Sequence, residues 1–474
     1  MPNPNQTPQL EPAIIVIFGI TGDLAQRYLL PALYHLIKEG LLHDKTELIG
    51  TSRREITTEE MLSDAKLCAS EPGGVCDPAA LQKMRDHFRM VRLDPTNSDD
   101  YTALLETMNG VEAEQGVCMN RLYYLSIPPQ VYGPVIRHMS ATGLNGSCQH
   151  GKAGSRLLIE KPFGYDTKSA QELIETMSHS FSEEQTFRID HYLAKETVQN
   201  ILTFRFQNPI FEALWNRDHI ERIEVSASEA IGIEGRAHFY EPLGALRDFI
   251  QSHLLQLLAV VTMDRPEVMD SQHIHASKQA VLEQIQAVPA GLVSSHAVRG
   301  QYDGYREEVN NPDSTTETFA GLRLYIDSPR WAGVPLVLWT GKKLAEKRTE
   351  VAVRFKSRAH ETTNYLRLRI QPNEGIELDL VAKKPGFDTE LQPTAMDFSY
   401  QQNFSGHNHP DAYERVLVDA VRGDRTLFAT GEEVMQAWRI VQPVLDAWSR
   451  QGHEPLTDYA GGTRGSELAR SLFD

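Results

Sequence analysis

Ala13-Ile14-Ile15-Val16-Ile17-Phe18-Gly19-Ile20-Thr21-Gly22-Asp23-Leu24 is the stretch on which the fold of this chain turns. Six consecutive apolar residues read as a central parallel strand covered on both faces, because a strand with one wet face alternates instead. A glycine turn follows, then an amphipathic helix from about residue 23 to residue 39, ended by Gly40. A dinucleotide fold uses a glycine turn at this point, so that backbone can approach a pyrophosphate resting on the helix N-terminus. The spacing here is G-x-x-G and not G-x-G-x-x-G. On its own it fits equally well a helix entered through a turn, with Asp23 as its N-terminal charge.

Working outward, residues 47–52, 121–126 and 156–159 read as further strands, and 61–89 as mostly helical with a break at Glu71-Pro72-Gly73-Gly74. Strands spaced by helices predict a Rossmann-like, doubly wound parallel sheet. Beyond His191 the texture changes. Residues 221–228, 319–326, 334–340, 350–355, 365–370 and 375–381 read as strands, with Leu366, Leu368 and Ile370 alternating with Arg367 and Arg369. That pattern marks a mainly antiparallel sheet with one wet face. Helices are expected at 244–261, 276–287, 410–422 and 431–450, the last with Trp438, Val441, Leu445 and Trp448 on one core stripe. The expected fold class is therefore α/β plus α+β. It divides into a flexible tail over 1–12, a nucleotide-binding domain over 13–188 and a larger α+β domain over 189–474.

A chain of 474 residues suits two such domains. Its net charge of −17, from 47 basic and 64 acidic residues, argues against nucleic acid or an anionic membrane as partner. The same field makes any local basic cluster more telling. No apolar run approaches a membrane span. The polar, Pro-rich start lacks the basic and apolar regions of a signal peptide, and a cytoplasmic protein is expected. Cys68, Cys76, Cys118 and Cys148 show no C-x-x-C spacing. They are read as thiols in a reducing compartment, neither a disulfide framework nor a zinc site. No H-E-x-x-H or other ligand set appears among the 17 histidines, so no metal is expected.

Three further segments carry chemistry. Arg188-Ile189-Asp190-His191-Tyr192-Leu193-Ala194-Lys195-Glu196 follows a short β-like run. A helix starting at Asp190 would place His191 and Lys195 four apart on one face, beside an N-terminus suited to phosphate; a capped surface helix is the plainer alternative. Past the second strand stand Thr51, Ser52, Arg53 and Arg54. A guanidinium there suits the 2′-phosphate of NADP, where an NAD site wants a carboxylate for the ribose. Thr21 is placed to reach the same group, and Glu55 leaves NAD use open. Glu160-Lys161-Pro162-Phe163-Gly164 follows a strand, and its X-Pro bond is a candidate for the cis form. His253, in Asp248-Phe249-Ile250-Gln251-Ser252-His253-Leu254-Leu255, lies on a largely apolar helix, where a satisfied core histidine is the common case.

The string 188–196 resembles the signature of glucose-6-phosphate dehydrogenases, whose usual form has Gly where this chain has Ala194. Residues 19–34 (GITGDLAQRYLLPALY) are similar to that family's nucleotide segment, with Gln26 and Tyr28 replacing frequent lysines. Residues 160–164 resemble its E-K-P-F-G, a motif whose first three residues also occur in the glucose–fructose oxidoreductase and inositol dehydrogenase family. The resemblance implies oxidation of D-glucose 6-phosphate at C1 to 6-phospho-D-glucono-1,5-lactone, with hydride transfer to NADP, the first step of the oxidative pentose phosphate pathway. It assigns NADP to Gly19, Thr21, Gly22, Asp23, Leu24, Arg53 and Lys161, and makes His253 the general base with Asp190 as its carboxylate partner. Lys161, Glu229 and Asp248 are assigned to the sugar. His191, Tyr192, Lys195, Lys342 and Lys347 are assigned to substrate, chiefly its phosphate. Trp339 stands where an arginine is frequent, which argues against a second, structural NADP site.

Family members are usually dimers or tetramers joined through the large sheet, so a homo-oligomer is implied. Ala194 adds a methyl to the motif and improves helix propensity over Gly, and altered tolerance for sugar epimers is expected from it. The competing readings are a dehydrogenase of another sugar or sugar phosphate, and a catalytically silent NADP-binding paralogue.

Overall fold

The computed structural model describes residues 10–63, 65–68, 71–146, 153–357, 362–404, 410–450 and 456–473. In chain order the strands are β1 (Ala13–Phe18), β2 (Glu47–Ser52), β3 (Phe88–Arg92), β4 (Asn120–Leu125), β5 (Ser155–Ile159) and β6 (Thr186–Ile189). There follow β7 (Ile220–Ser228), β8 (Ala297–Tyr302), β9 (Phe319–Leu324), β10 (Leu336–Gly341) and β11 (Arg348–Phe355). The last are β12 (Tyr365–Gln371), β13 (Gly375–Lys383), β14 (Leu391–Ser399), β15 (Phe428–Ala429) and β16 (Thr457–Tyr459). They make two sheets, one in each of two compact units.

The first unit holds the sheet β15-β6-β5-β4-β1-β2-β3, with β1 to β6 all parallel. Read from the other edge this is the strand order 3-2-1-4-5-6 of a dinucleotide-binding fold. β1 sits at its middle with all six residues buried. Ile15 and Ile17 enter one core, Ile14, Val16 and Phe18 the other. That two-residue period, with apolar layers on both faces, is why the segment shows no polar position.

Several expectations are corrected here. The helical reading of 61–89 overruns its end: Phe88 and Arg89 open β3 (Phe88–Arg92), an outer strand whose Arg89 and Arg92 hide the β pattern. Of the expected tail, residues 1–9 lie outside the described residues, while Leu10 is buried and its N–H bonds Leu41 O at 3.3 Å. The nucleotide-binding unit is not the continuous segment 13–188: it runs on to Ala194 and recruits residues 410–431. The reason is packing. The helix Ala412–Arg422 buries Val416, Leu417, Ala420 and Val421 in the core that also holds Leu33 and Leu36, and β15 pairs antiparallel with β6.

The reading of the cysteines as unpaired thiols is also corrected among the described residues. Cys68 and Cys76 are bonded to each other across short 3₁₀ turns that bring their Cα atoms to 5.2 Å, and Cys118 is disulfide-bonded too. Residue 148 lies outside the described residues. Sequence spacing says little about such pairs, because turns decide which sulfurs meet.

The second unit holds the sheet β14-β13-β12-β11-β7-β10-β9-β8-β16. Its pairs are antiparallel except β7 with β10 and β8 with β16. On β12, Leu366, Leu368 and Ile370 are buried, while Arg367 and Arg369 on the other face reach Glu377, Asp379 and Asp397. Trp438, Val441, Leu445 and Trp448 of the helix Gly431–Trp448 are buried. Among the described residues no helix is long and apolar enough to cross a membrane.

Candidate active site

In the first unit the candidate residues gather at one edge, because parallel strands all end on the same side. Gly19–Leu24 follow β1, Arg53 follows β2, Lys161 lies just past β5 and Asp190 follows β6. Between β1 and β4 the strand order reverses, and ligands of open α/β sheets bind at that point. Ser126, just past β4, donates its N–H to Phe18 O at 3.0 Å and closes the floor of the glycine turn.

Gly19 has φ +75°, and a Cβ there would meet Ser126 O at 2.5 Å and Ile127 Cγ2 at 2.8 Å. The turn is further tied by Gly22 N–H to Gly19 O at 2.9 Å and Ile20 N–H to Thr51 O at 3.2 Å. Thr21 and Gly22 are half-buried, Asp23 is exposed, and Leu24 packs against the core. The helix that follows begins with a π-helical turn, Ala25–Leu29, and continues as Leu30–Lys38. Arg53 is exposed beyond β2. Hydrogen bonds from Thr96 hold the Asp94 carboxyl below its usual range, and the charges of Arg53 and Arg92 add to this.

Past β5, the Lys161–Pro162 peptide is cis, as the motif suggests. Glu160, given no role in the sequence reading, organises this corner. Its buried carboxylate accepts from the Tyr124 hydroxyl, and His191 Nε2 lies 3.1 Å from both of its oxygens. Burial opposes its ionisation, but His191 and the Tyr124 hydrogen bond outweigh that, and the pKa is lowered. The His191 ring also lies 4.2 Å from the ring of Tyr413.

The helix expected to start at Asp190 starts instead at Glu196, with Lys195 as its N-cap. Residues 190–194 form turns, in which Asp190 Oδ1 accepts the Tyr192 N–H at 2.8 Å. The carboxylate competes for backbone donors and delays the helix. His191 and Lys195 therefore do not share a helical face. Ala194 precedes the helix and is buried in the first unit's core, so the propensity argument does not apply to it.

In the second unit, Asp248 and His253 lie on Leu246–Leu254, a π-helical segment continued by the α-helix Leu255–Thr262. Leu255 N–H bonds Ile250 O, five residues back. In an α-helix, positions five apart point about 140° away from each other; the wider i→i+5 winding brings them back to nearly one side. The expected α-helix over 244–261 would not have done so. His253 is 4% exposed, with its ring 5.6 Å from Phe249 in an edge-on contact.

Glu229 follows β7, and Lys342 follows β10, whose pairing with β7 is parallel, so both stand at the same end. The Lys342 ammonium contacts the Glu229 carboxylate and lies 5.0 Å from the ring of Tyr240 and 6.0 Å from that of Phe249. Lys347 is exposed in the turn before β11. Tyr240 and Tyr413 were both missed, since nothing in the local sequence marks either aromatic as part of a site.

These elements define a dinucleotide-binding unit of dehydrogenase type, joined to an α+β unit that presents a histidine, carboxylates and lysines. Residues 16–200 match the family model for the glucose-6-phosphate dehydrogenase NAD binding domain, and residues 202–474 that for the glucose-6-phosphate dehydrogenase C-terminal domain. Glucose-6-phosphate 1-dehydrogenase of Chlamydia pneumoniae is 40% identical, over 98% of this chain and 94% of its own. That of Rhizobium meliloti (strain 1021) is 37% identical, over 98% and 96%. A glucose-6-phosphate dehydrogenase solved in complex with its substrate glucose-6-phosphate superposes with a TM-score of 0.90 at 32% identity, over 99% of each chain. The chain belongs to the glucose-6-phosphate dehydrogenase family.

Proposed function

We propose that the protein oxidises D-glucose 6-phosphate at C1 to 6-phospho-D-glucono-1,5-lactone with NADP as hydride acceptor, opening the oxidative pentose phosphate pathway. The observation that supports this best is the joint placement of the glycine turn, Arg53, Lys161 and Asp190 at the carboxyl edge of one parallel sheet, in a chain of this family. The Gly19 turn is left-handed and packs so closely on Ser126 that no Cβ fits, as the bare glycine turn of a dinucleotide site requires. NADP, when bound, accepts the hydride. Gly19, Thr21, Gly22, Asp23 and Leu24 hold it through the turn and helix start, and Arg53 supplies the cation for its 2′-phosphate.

His253 takes the C1 hydroxyl proton, with Asp190 holding its tautomer and stabilising the imidazolium. Lys161 lies between nicotinamide and sugar. Glu229 and Asp248 accept from sugar hydroxyls. His191, Tyr192, Lys195, Lys342 and Lys347 hold the phosphate end, His191 being set in place by Glu160. The protein works in the cytoplasm as a homodimer or homotetramer. The exposed Leu391 and Met396 on the outer strand β14 support assembly through the large sheet.

The test is NADPH formation from glucose 6-phosphate, comparing wild type with His253→Asn. Loss of a positioned base lowers kcat roughly 10² to 10⁴-fold; an unchanged kcat removes the assignment.

A further inference from the structure

The helix bearing Asp248 and His253 enters through Gly244, with φ +69°, and the space beside that glycine is filled by one side chain. A Cβ at Gly244 would meet the Glu317 carboxyl group, with Oε1 at 2.4 Å and Cδ and Oε2 at 2.6 Å. Glu317 Oε1 accepts the Leu246 N–H at 3.0 Å, and Glu317 O accepts the Ala245 N–H at 2.9 Å. One residue therefore clasps two of the first donors of the helix, by side chain and by backbone. It is 5% exposed, and the segment before it is pinned by Thr316 Oγ1 to Glu241 O at 2.8 Å.

The same segment reaches the other candidate group of this unit. The next carbonyl, Thr318 O, accepts the Lys342 N–H at 2.9 Å, and Lys342 carries its ammonium to Glu229. Burial raises the pKa of the Glu317 carboxyl, against the Leu246 N–H and the charges of Arg247 and Arg299. A buried carboxyl kept where an apolar residue would pack more easily needs a role.

We propose that Glu317 is a positioning residue: by clasping the N-terminus of the π-helical segment beside Gly244, it fixes Asp248 and His253 relative to Lys342 and Glu229. The inference rests on the reading of His253 as the base and deepens it. Its consequence is specific. A helix start released by a fraction of an ångström displaces the base while leaving the nucleotide unit untouched.

Glu317→Ala is expected to lower kcat for glucose 6-phosphate roughly 10- to 100-fold, with the KM for NADP unchanged within about twofold. Glu317→Gln keeps an oxygen for the Leu246 N–H and restores most of that kcat. Glu317→Asp, one methylene short of Leu246, behaves like Glu317→Ala and serves if the alanine variant does not accumulate. A merely structural role would lower the thermal midpoint while leaving kcat of the folded enzyme unchanged. Wild-type kcat in Glu317→Ala or Glu317→Asp, beside an inactive His253→Asn, overturns the inference alone. So does a Gln variant no better than the Ala variant. Wild-type kcat in His253→Asn overturns the base assignment and takes the inference with it.

Discussion

Replacing Gly19 by alanine tests the glycine turn more sharply than any charge substitution, because its cost follows from two separate features of the structure. The backbone at Gly19 is left-handed, which costs an alanine about 1–2 kcal/mol. The added methyl also has no room: Ser126 O lies 2.5 Å from the ideal Cβ position. That carbonyl is part of the peptide backbone just past β4, whose preceding N–H side is fixed to Phe18 O, so the turn must yield and not the floor. Forcing a group into packed surroundings adds roughly 1–3 kcal/mol, for a total on the order of 2–5 kcal/mol.

For a unit of this size each kcal/mol moves the thermal midpoint by about 2–4 °C, so Gly19→Ala should fall on the order of 5–15 °C. Displacement of the turn should also weaken NADP by about tenfold or more, read by fluorescence titration. Gly22→Ala is the internal control. Its φ is not left-handed and its Cβ would lie 3.1 Å from Gly19 O, a strain relieved by a few tenths of an ångström. It should lose less on both measures. A Gly19→Ala enzyme with wild-type midpoint and NADP affinity, or a Gly22→Ala enzyme harmed more, would refute the glycine-turn argument.

Two further outcomes follow from charges elsewhere. Glu433, fully buried, pairs with Lys278 at 2.8 Å and His275 at 2.9 Å; burial pushes its carboxyl up, but the Lys278 charge and the hydrogen bonds from both partners hold it at about 2. A folded pKa below the unfolded value of 4.5 contributes stability that is complete above about 4.5 and lost as pH falls through 2. Lys278→Met should therefore cost about 3–5 kcal/mol at neutral pH, a loss that shrinks as falling pH protonates Glu433, as followed by urea denaturation across pH. The double variant Lys278→Met, Glu433→Met should recover part of the loss; a single variant as stable as wild type at every pH contradicts the pairing. Arg53→Ala removes the proposed cation for the 2′-phosphate, worth about 1.5–3 kcal/mol as a charge-assisted hydrogen bond. The ratio of kcat/KM for NADP over NAD should then drop roughly 10- to 100-fold, and an unchanged ratio would show that another group reads the phosphate.

What the sequence could reveal depended on whether a residue's neighbours in space were also its neighbours in the chain. β1 was legible because both of its faces are covered, which leaves every position apolar. β14 was not: Leu391–Ser399 contains Pro393 and is mostly exposed, and its strand form is set by pairing with β13 across nine registers. Likewise the positions of Lys161 and Asp190 just past strands were legible, at the end where a parallel sheet meets its ligands. The neighbours that touch the candidate segments gave no such signal. Glu317 meets Leu246 from 71 positions away, and Tyr413 reaches His191 only because a distant helix returns to the first unit.

The π winding is the most instructive case. The apolar pattern around Leu246, Phe249, Ile250, Leu254 and Leu255 suits an ordinary helix, and only the bond from Leu255 to Ile250 reveals the wider turn. Since an i→i+5 winding is what would bring positions 248 and 253 toward one side, the chemistry proposed for Asp248 and His253 would depend on a local geometry that hydrophobic periodicity does not encode. The tie from Glu317 at the helix entrance is a tertiary contact of the kind that can hold such a winding in place. A site of this kind is legible in its reacting groups and illegible in its supports, because the first are fixed by residue type and the second by who packs beside them.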